Sequence, residues 1–220
     1  MLPSLDLGFF ILHLYPFFWG LAWATGSWYV HQNIPKQYQL GNAIYLAGLF
    51  LIAVLGAKYV FDLSSGEYTF SSGLGFVFYG GLLAGSLYLL VLYFLKNTWV
   101  RVALKPMVIV LPLCHAIGRI GCFFAGCCYG IDHFPLPVIE SLLLMIIFYF
   151  QFRAKEKDTL ELVATYMLNY GIIRLGLEIF RGDPRGTWLS IPPSVWISIG
   201  LIYLGFFFFS RASSFKQSRI

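Results

Sequence analysis

Runs of apolar residues, each close to 20 residues long, recur along the whole chain. A bilayer core about 30 Å thick needs about 20 apolar residues in a spanning helix, because a helix rises about 1.5 Å per residue. Seven such runs can be drawn, at roughly 9–30, 40–60, 73–95, 106–128, 136–152, 160–180 and 190–210. The pattern predicts an all-α polytopic membrane protein with about seven transmembrane helices, forming one integral membrane domain over residues 1–220.

The composition excludes the other classes of fold. Only 11% of the residues are charged and 59% are hydrophobic, whereas soluble domains carry about 25% charged residues. A transmembrane β-barrel would alternate polar and apolar positions in segments of about 10 residues. The continuous apolar run from Leu82 to Leu95 does not alternate in this way.

The basic residues are concentrated on one side of the predicted membrane. Ten of the 15 lysines and arginines fall in the first, third and fifth loops and in the tail, namely Lys36, Lys96, Arg101, Lys105, Arg153, Lys155, Lys157, Arg211, Lys216 and Arg219. The opposite loops hold three, Lys58, Arg181 and Arg185. The positive-inside rule therefore predicts an outside N-terminus and a cytoplasmic C-terminus. It also explains the net charge of +5 without a nucleic-acid partner, and we expect a multi-pass membrane protein.

One stretch, His115 to Gly130, interrupts this apolar background with an arginine, three cysteines and several glycines. An arginine at the bilayer centre costs at least about 2.5–3.5 kcal/mol, so Arg119 predicts a functional site. With the orientation above, the stretch lies in the outer half of the fourth span. The glycines Gly118, Gly121 and Gly130 would allow close approach of another backbone or of a lipid headgroup.

The sixth span carries a second polar stripe. Tyr170, Arg174, Glu178 and Arg181 follow at steps of four and three, which places them on one helical face. Arg174 and Glu178 could form a structural ion pair, and Glu140 is then the remaining carboxylate for Arg119. A surplus of arginines over carboxylates would instead suit a phosphate, which a planar guanidinium binds through two hydrogen bonds.

The cysteines leave several interpretations open. Adjacent Cys127 and Cys128 could not both face one site on a regular helix, and their spacing differs from that of structural zinc sites. We therefore expect no metal and no cofactor. A disulfide, simple packing, or a thiolate stabilised by Arg119 all remain open.

Two motifs resemble the prolipoprotein diacylglyceryl transferase family. The first is Gly118-Arg119-Ile120-Gly121 followed by Phe123, and the second runs from Tyr170-Gly171 through Arg174 and Glu178 to Arg181. Supporting matches occur in the family's order along nearly the whole chain, at Phe18–Leu21, Tyr79–Leu82, Pro137 with Glu140, and Leu189–Pro192.

The resemblance implies transfer of a diacylglyceryl group from phosphatidylglycerol, an outer-leaflet phospholipid, to the lipobox cysteine thiol of a lipoprotein precursor. Glycerol phosphate is released. Arg119 and Arg174 would then bind the phosphate, and Glu178 would orient an arginine or handle a proton. The substrate-binding group would comprise Arg181, Tyr170, Gly118, Gly121, Gly130, Glu140 and His115.

The chain also departs from the family's pattern. Cys122 and Cys127 stand where the family has an asparagine and a glutamate, and Tyr79 stands where it has a histidine. We therefore expect Tyr79, Cys122 or Cys127 to supply the acid–base chemistry. The acceptor could be a lipoprotein cysteine or another nucleophile. The alternative is a non-catalytic lipid-binding or thiol-redox or metal-binding membrane protein on the same fold.

Overall fold

A computed structural model describes residues 4–6, 8, 11–65, 78–183 and 189–217. Two short strands come first, β1 (Ser4–Asp6) and β2 (Ile11–His13). Seven α-helices follow, α1 (Leu14–Asn33), α2 (Lys36–Ser65), α3 (Phe78–Phe94), α4 (Thr98–Ala125), α5 (Leu136–Arg153), α6 (Thr159–Glu178) and α7 (Pro193–Gln217). A 3₁₀ turn, Ile131–His133, lies between α4 and α5.

Each helix coincides with one of the predicted apolar runs, so the all-α fold is confirmed. Among the described residues, four helices are long and apolar enough to cross a membrane, namely α2, α4, α5 and α7. A shorter apolar helix, Gly80–Phe94, belongs to α3. The first part of the third predicted run, residues 73–77, lies outside the described residues.

The first predicted span begins too early. Residues 11–13 pair antiparallel with residues 4–6, in the register Ser4↔His13. The Asp6 side chain accepts a hydrogen bond from the Gly8 N–H at 2.8 Å, and Gly8 has φ +79°, a conformation that suits glycine. Helix α1 then begins at Leu14, and Pro16 lies in its first turn, where a missing N–H costs nothing.

The fourth predicted span ends too late. Gly126 has φ +71°, and its N–H donates to the Phe123 carbonyl while the Cys127 N–H donates to the Cys122 carbonyl, both at 3.2 Å. This pair of bonds is the Schellman ending of a helix, for which glycine suits the left-handed position. Cys127 and Cys128 therefore lie in the loop after α4, rather than on the helix as predicted.

The described helices fall into two compact units. The unit formed by Met1–Val30 and Lys105–Ile220 has a core of Ala116, Leu144, Ile147 and Tyr170. Helices α6 and α7 approach closely in it, since a Cβ on Gly171 would lie 3.0 Å from the Ser198 carbonyl oxygen.

The second unit, His31–Leu104, packs α2 against α3. A Cβ on Gly56 would lie 2.6 Å from the Gly80 carbonyl oxygen, so the two backbones are almost in contact. Lys58 was counted above as a loop residue, but it lies inside α2, where it forms a buried ion pair with Asp62 at 2.5 Å. Pairing on one helical face is the usual way to hold charges at membrane depth.

Candidate active site

Three helices bring their polar side chains to one point in the first unit. Arg119 of α4 contacts Glu140 of α5, with Nη2 and Oε1 2.9 Å apart. Tyr170 of α6 donates its hydroxyl hydrogen to the same Glu140 oxygen at 3.1 Å and lies 3.4 Å from Arg119 Nη2. Glu140 is only 2% exposed. This buried Arg–Glu–Tyr network fixes the position of the Arg119 guanidinium group.

A second pair lies beside it on α6. Arg174 and Glu178 are one turn apart, and their Nη2 and Oε2 atoms are 2.9 Å apart. Both Arg119 and Arg174 interact electrostatically with the partly buried His115. His115 Nδ1 is hydrogen-bonded to the Tyr166 hydroxyl at 3.0 Å.

A third arginine lies where the loops after α4 and α6 meet. Arg181 donates two hydrogen bonds to Asp183, from Nε at 2.7 Å and from Nη2 at 2.5 Å. Gly130 and Arg181 form an isolated β-bridge, so the two loops are joined through their backbones. A Cβ on Gly130 would lie 2.8 Å from the Phe180 carbonyl oxygen, which explains why this position requires glycine.

The three arginines are balanced by three carboxylates, so the predicted surplus of arginines is wrong for the described residues. The pairs do not use every donor, however. Arg119 Nε and Arg174 Nη1 are buried and have no hydrogen-bond partner among the described residues. Buried donors are nearly always satisfied, so each N–H is available to an anionic ligand.

The turn after α4 gathers three thiols. The Sγ atoms of Cys122, Cys127 and Cys128 all lie within 4.8 Å of one another, because the chain reverses at Gly126. We call these three residues the cysteine cluster. The argument from a regular helix, that Cys127 and Cys128 could not face one site, is therefore wrong. The fourth cysteine, Cys114, packs elsewhere on α4, against Gly26.

Comparison with known proteins agrees with these motifs. The sequence matches the model of the prolipoprotein diacylglyceryl transferase family over residues 4–211. The chain belongs to this family. It is 30% identical to a phosphatidylglycerol–prolipoprotein diacylglyceryl transferase of Clostridium tetani (strain Massachusetts / E88), over 78% of the chain and 77% of that protein.

Two further relatives carry the same description. The chain is 33% identical to phosphatidylglycerol–prolipoprotein diacylglyceryl transferase 2 of Clostridium perfringens (strain 13 / Type A), over 60% of each protein. It is 23% identical to the transferase of Buchnera aphidicola subsp. Schizaphis graminum (strain Sg), over 92% of the chain and 95% of that protein. The similarity to this family of transferases therefore extends along most of the chain.

Within the family site, the thiols differ in their tendency to ionise. Hydrogen bonds from the Cys122 and Cys127 thiols, with the guanidinium groups of Arg119 and Arg181, lower the pKa of Cys128. The pKa of Cys127 is raised instead, because its thiol is hydrogen-bonded to Cys122 and Cys128. The sequence analysis favoured Cys122 and Cys127, whereas in the structure it is Cys128 whose pKa is lowered. The contact of Cys128 with Arg181 depends on the turn at Gly126, so sequence spacing alone could not reveal it.

The remaining predicted residues fall in different places. A Cβ on Gly121 would lie 3.0 Å from Phe18 Cβ, so this glycine serves packing against α1. A Cβ on Gly118 would meet no described atom within 4 Å. Tyr79 lies at the start of α3 in the other unit, and its side chain lies outside the described residues. Tyr166, which the sequence analysis missed, lies one turn before Tyr170 on the same face, and that spacing is the signal that could have found it.

Proposed function

We propose that this transferase moves the diacylglyceryl group of phosphatidylglycerol to the cysteine thiol of a lipoprotein precursor. The relatives' names supply both substrates, and the two arginines of α4 and α6 carry the proposal within this chain. Arg174 is buried and Arg119 is mostly buried, both are held in place by carboxylates, and each keeps a donor with no partner among the described residues. A phosphate oxyanion can accept a hydrogen bond from both.

The reaction is a displacement at carbon. The sulfur of the acceptor cysteine forms a bond to the diacylglyceryl carbon that is attached to the phosphate. The bond from that carbon to the phosphate oxygen breaks. The leaving group is glycerol phosphate, which takes the electron pair, and the product is a thioether. Negative charge develops on the phosphate oxygens as the bond breaks, so donors fixed at that position stabilise the transition state.

Each arginine has a positioning partner for this task. Glu140 and Tyr170 hold Arg119, and Glu178 holds Arg174. A fixed guanidinium group needs little reorganisation when the charge develops. Arg181, in the loop after α6, is placed to meet the lipid headgroup as it enters, with Asp183 holding its side chain. The family resemblance assigns His115, Gly118, Gly121 and Gly130 to the substrate-binding group as well.

The thiol proton of the acceptor needs a base. We assign this role to the cysteine cluster, in which Cys122 and Cys127 stand where the family has an asparagine and a glutamate. The Cys122 and Cys127 thiols hydrogen-bond to Cys128, whose pKa is lowered. Tyr79 is the second candidate base, from its position in the family motif.

We further propose one domain over residues 1–220 with seven transmembrane helices, an outside N-terminus and a cytoplasmic C-terminus, in the bacterial inner membrane. The ten basic residues on one side, against Arg181 and Arg185 in the opposite loops, support this orientation. The ends of α4 and α6 then face the outer leaflet. The phosphate of an outer-leaflet phospholipid lies at the level of the three arginines.

The test is the reaction itself with purified protein. Phosphatidylglycerol labelled in its terminal glycerol is incubated with a synthetic lipobox peptide, and both released glycerol phosphate and the mass of the peptide are measured. We expect the peptide to gain one diacylglyceryl group for each glycerol phosphate released. Release without modification of the peptide would contradict the proposed acceptor, and no release would contradict the proposed function.

Variants test the arginines. Arg174→Lys keeps the charge but loses the planar fork, and a hydrogen bond to a charged group is worth about 1.5–3 kcal/mol, so the rate should fall about 10- to 100-fold. Arg153→Lys is the matched control, because Arg153 is exposed at the end of α5. Equal rates for Arg174→Lys and Arg153→Lys would contradict a phosphate contact at Arg174.

A further inference from the structure

We propose that the cysteine cluster binds a soft monovalent metal cation, with Cu(I) as the ion that fits it, through the sulfurs of Cys122, Cys127 and Cys128. The proposal goes beyond the transferase function and stands on the geometry of the three thiols alone.

The backbone gathers the three sulfurs from one short segment. Cys122 lies in the last turn of α4, and the reversal at Gly126 carries Cys127 and Cys128 back toward it. Cys128 itself has φ +61°, an unfavourable left-handed conformation for a residue other than glycine, which turns its side chain toward the other two.

The distances suit direct coordination. Metal–sulfur bonds are about 2.3 Å long, so three sulfurs arranged around one ion in a plane lie about 4 Å apart. The three Sγ atoms already lie within 4.8 Å of one another. Small rotations of the side chains, without movement of the backbone, would complete the arrangement.

The donor set selects the type of ion. Among the described histidine, cysteine, aspartate and glutamate residues, the group within this distance consists of cysteines alone. Three sulfurs without a nitrogen or oxygen ligand favour soft ions such as Cu(I), whereas zinc sites are almost always completed to four ligands.

The surroundings favour a site that carries negative charge. Three thiolates around one monovalent ion leave a net charge of −2. Arg119 interacts electrostatically with Cys122 and Cys128, and Arg181 with Cys128, so two cations face the site. All three cysteines are partly exposed, which leaves a path for the ion to enter.

Occupancy would also oppose transfer. A bound ion engages the same sulfurs that we propose as the base for the thiol of the lipoprotein precursor. Metal binding is measured without lipid or peptide, so its test can fail while the transferase proposal holds, and the reverse.

The test is competition for Cu(I) with a coloured chelator, using reduced, detergent-purified protein under anaerobic conditions. We expect the protein to withdraw one Cu(I) per chain. Cys114→Ser should behave like the parent, whereas Cys122→Ser, Cys127→Ser and Cys128→Ser should each bind at least about 100-fold more weakly, because loss of even an outer-shell contact costs 10- to 100-fold.

A second measurement guards against variants that do not fold. Titration of the unaltered protein with Cd²⁺ should give a sulfur-to-metal absorption band with the intensity of three thiolates. No uptake of Cu(I), equal loss in Cys114→Ser, or a cadmium band equivalent to fewer than three thiolates would overturn the proposal. Uptake of Zn²⁺ in place of Cu(I) would overturn it as well. So would a cluster that forms a disulfide and, once that disulfide has been reduced, still binds no Cu(I).

Discussion

The buried charges of the site could serve structure or catalysis, and substitutions of single residues distinguish the two roles. Arg119 and Glu140 form an ion pair between α4 and α5 and are almost fully buried. Such a pair adds little net stability, but removing one partner leaves a buried charge without its counter-ion. Stability and transfer should therefore respond differently to substitutions of this pair.

We expect Arg119→Ala and Glu140→Ala each to lower the free energy of unfolding by about 3–5 kcal/mol, and the double variant to recover most of this loss. The double variant should still be inactive, because the phosphate has lost its donor. Thermal unfolding in detergent and the transfer assay together measure both effects. A stable and fully active double variant would show that Arg119 has only a structural role.

The thiol of Cys128 offers a test that depends on pH. Its lowered pKa means that the thiolate persists as the pH falls, whereas an ordinary cysteine with a pKa of about 8.5 loses thiolate about tenfold for each pH unit below that value. We expect the rate of alkylation at Cys128 to change little between about pH 8 and about pH 6.

The alkylation is followed by mass spectrometry in a Cys114→Ser background, which leaves the three clustered thiols. Cys127 serves as the internal control, since its pKa is raised and it should react slowly at every pH in this range. A rate at Cys128 that falls tenfold per pH unit would show that neither the neighbouring thiols nor the arginines stabilise its thiolate.

At the scale of elements, the ends of α4 and α6 are tied together by backbone contacts. The Ile131 N–H donates to the Phe180 carbonyl at 2.9 Å, and the Gly182 N–H donates to the Tyr129 carbonyl at 3.2 Å. These bonds place Arg181 beside the cysteine cluster. The short separation of the two loops depends on Gly130.

Gly130→Ala should therefore lower stability by about 1–3 kcal/mol, because the new Cβ would lie 2.8 Å from a backbone oxygen and the loops must move apart. Gly176→Ala is the matched control within α6, since a Cβ there meets no described atom within 4 Å and should stabilise the helix by about 0.5–1 kcal/mol. Thermal unfolding of the two variants compares them. A Gly130→Ala protein as stable as Gly176→Ala would contradict the close contact of the loops.

The helices were predictable from the sequence because a bilayer restricts where polar residues can lie. The pairing of Arg119 with Glu140 was foreseen as one alternative, since buried charges must find partners and few carboxylates lie at that depth. The cysteine cluster was not foreseen. Its signal was Gly126, which follows the apolar run at the position where a helix ends, but the run was drawn through to residue 128.

The N-terminal hairpin and the junction at Gly130 depend on different contacts. The hairpin follows from the Asp6–Gly8 turn, which is local and could have been read. The bridge between Gly130 and Arg181 joins residues far apart in the sequence, and no spacing rule connects them. The ion pair of Lys58 and Asp62 was missed because Lys58 was counted with a loop although it falls within the predicted run 40–60. Asp62 lies beyond the predicted end of that run, in an α2 that extends to residue 65.

For the whole molecule, the orientation in the membrane decides which leaflet the site can reach. An impermeant thiol reagent applied to the outside of reduced, intact cells should label Cys127 or Cys128 far more than Cys114, which packs against Gly26 inside the first unit. Inverted vesicles provide the comparison. Labelling of Cys127 and Cys128 only in inverted vesicles would reverse the orientation and exclude an outer-leaflet substrate.

The central claim is that the protein transfers a diacylglyceryl group by breaking the bond from carbon to the phosphate oxygen, while the arginines hold the departing phosphate. Phosphatidylglycerol that carries ¹⁸O in the oxygen bridging the diacylglyceryl carbon and phosphorus tests this most directly. Mass spectrometry of the products from the lipobox peptide reaction should find the label in the released glycerol phosphate, with a thioether on the peptide. Label retained on a diacylglycerol product would mean that the bond to phosphorus had broken instead, and would contradict the account.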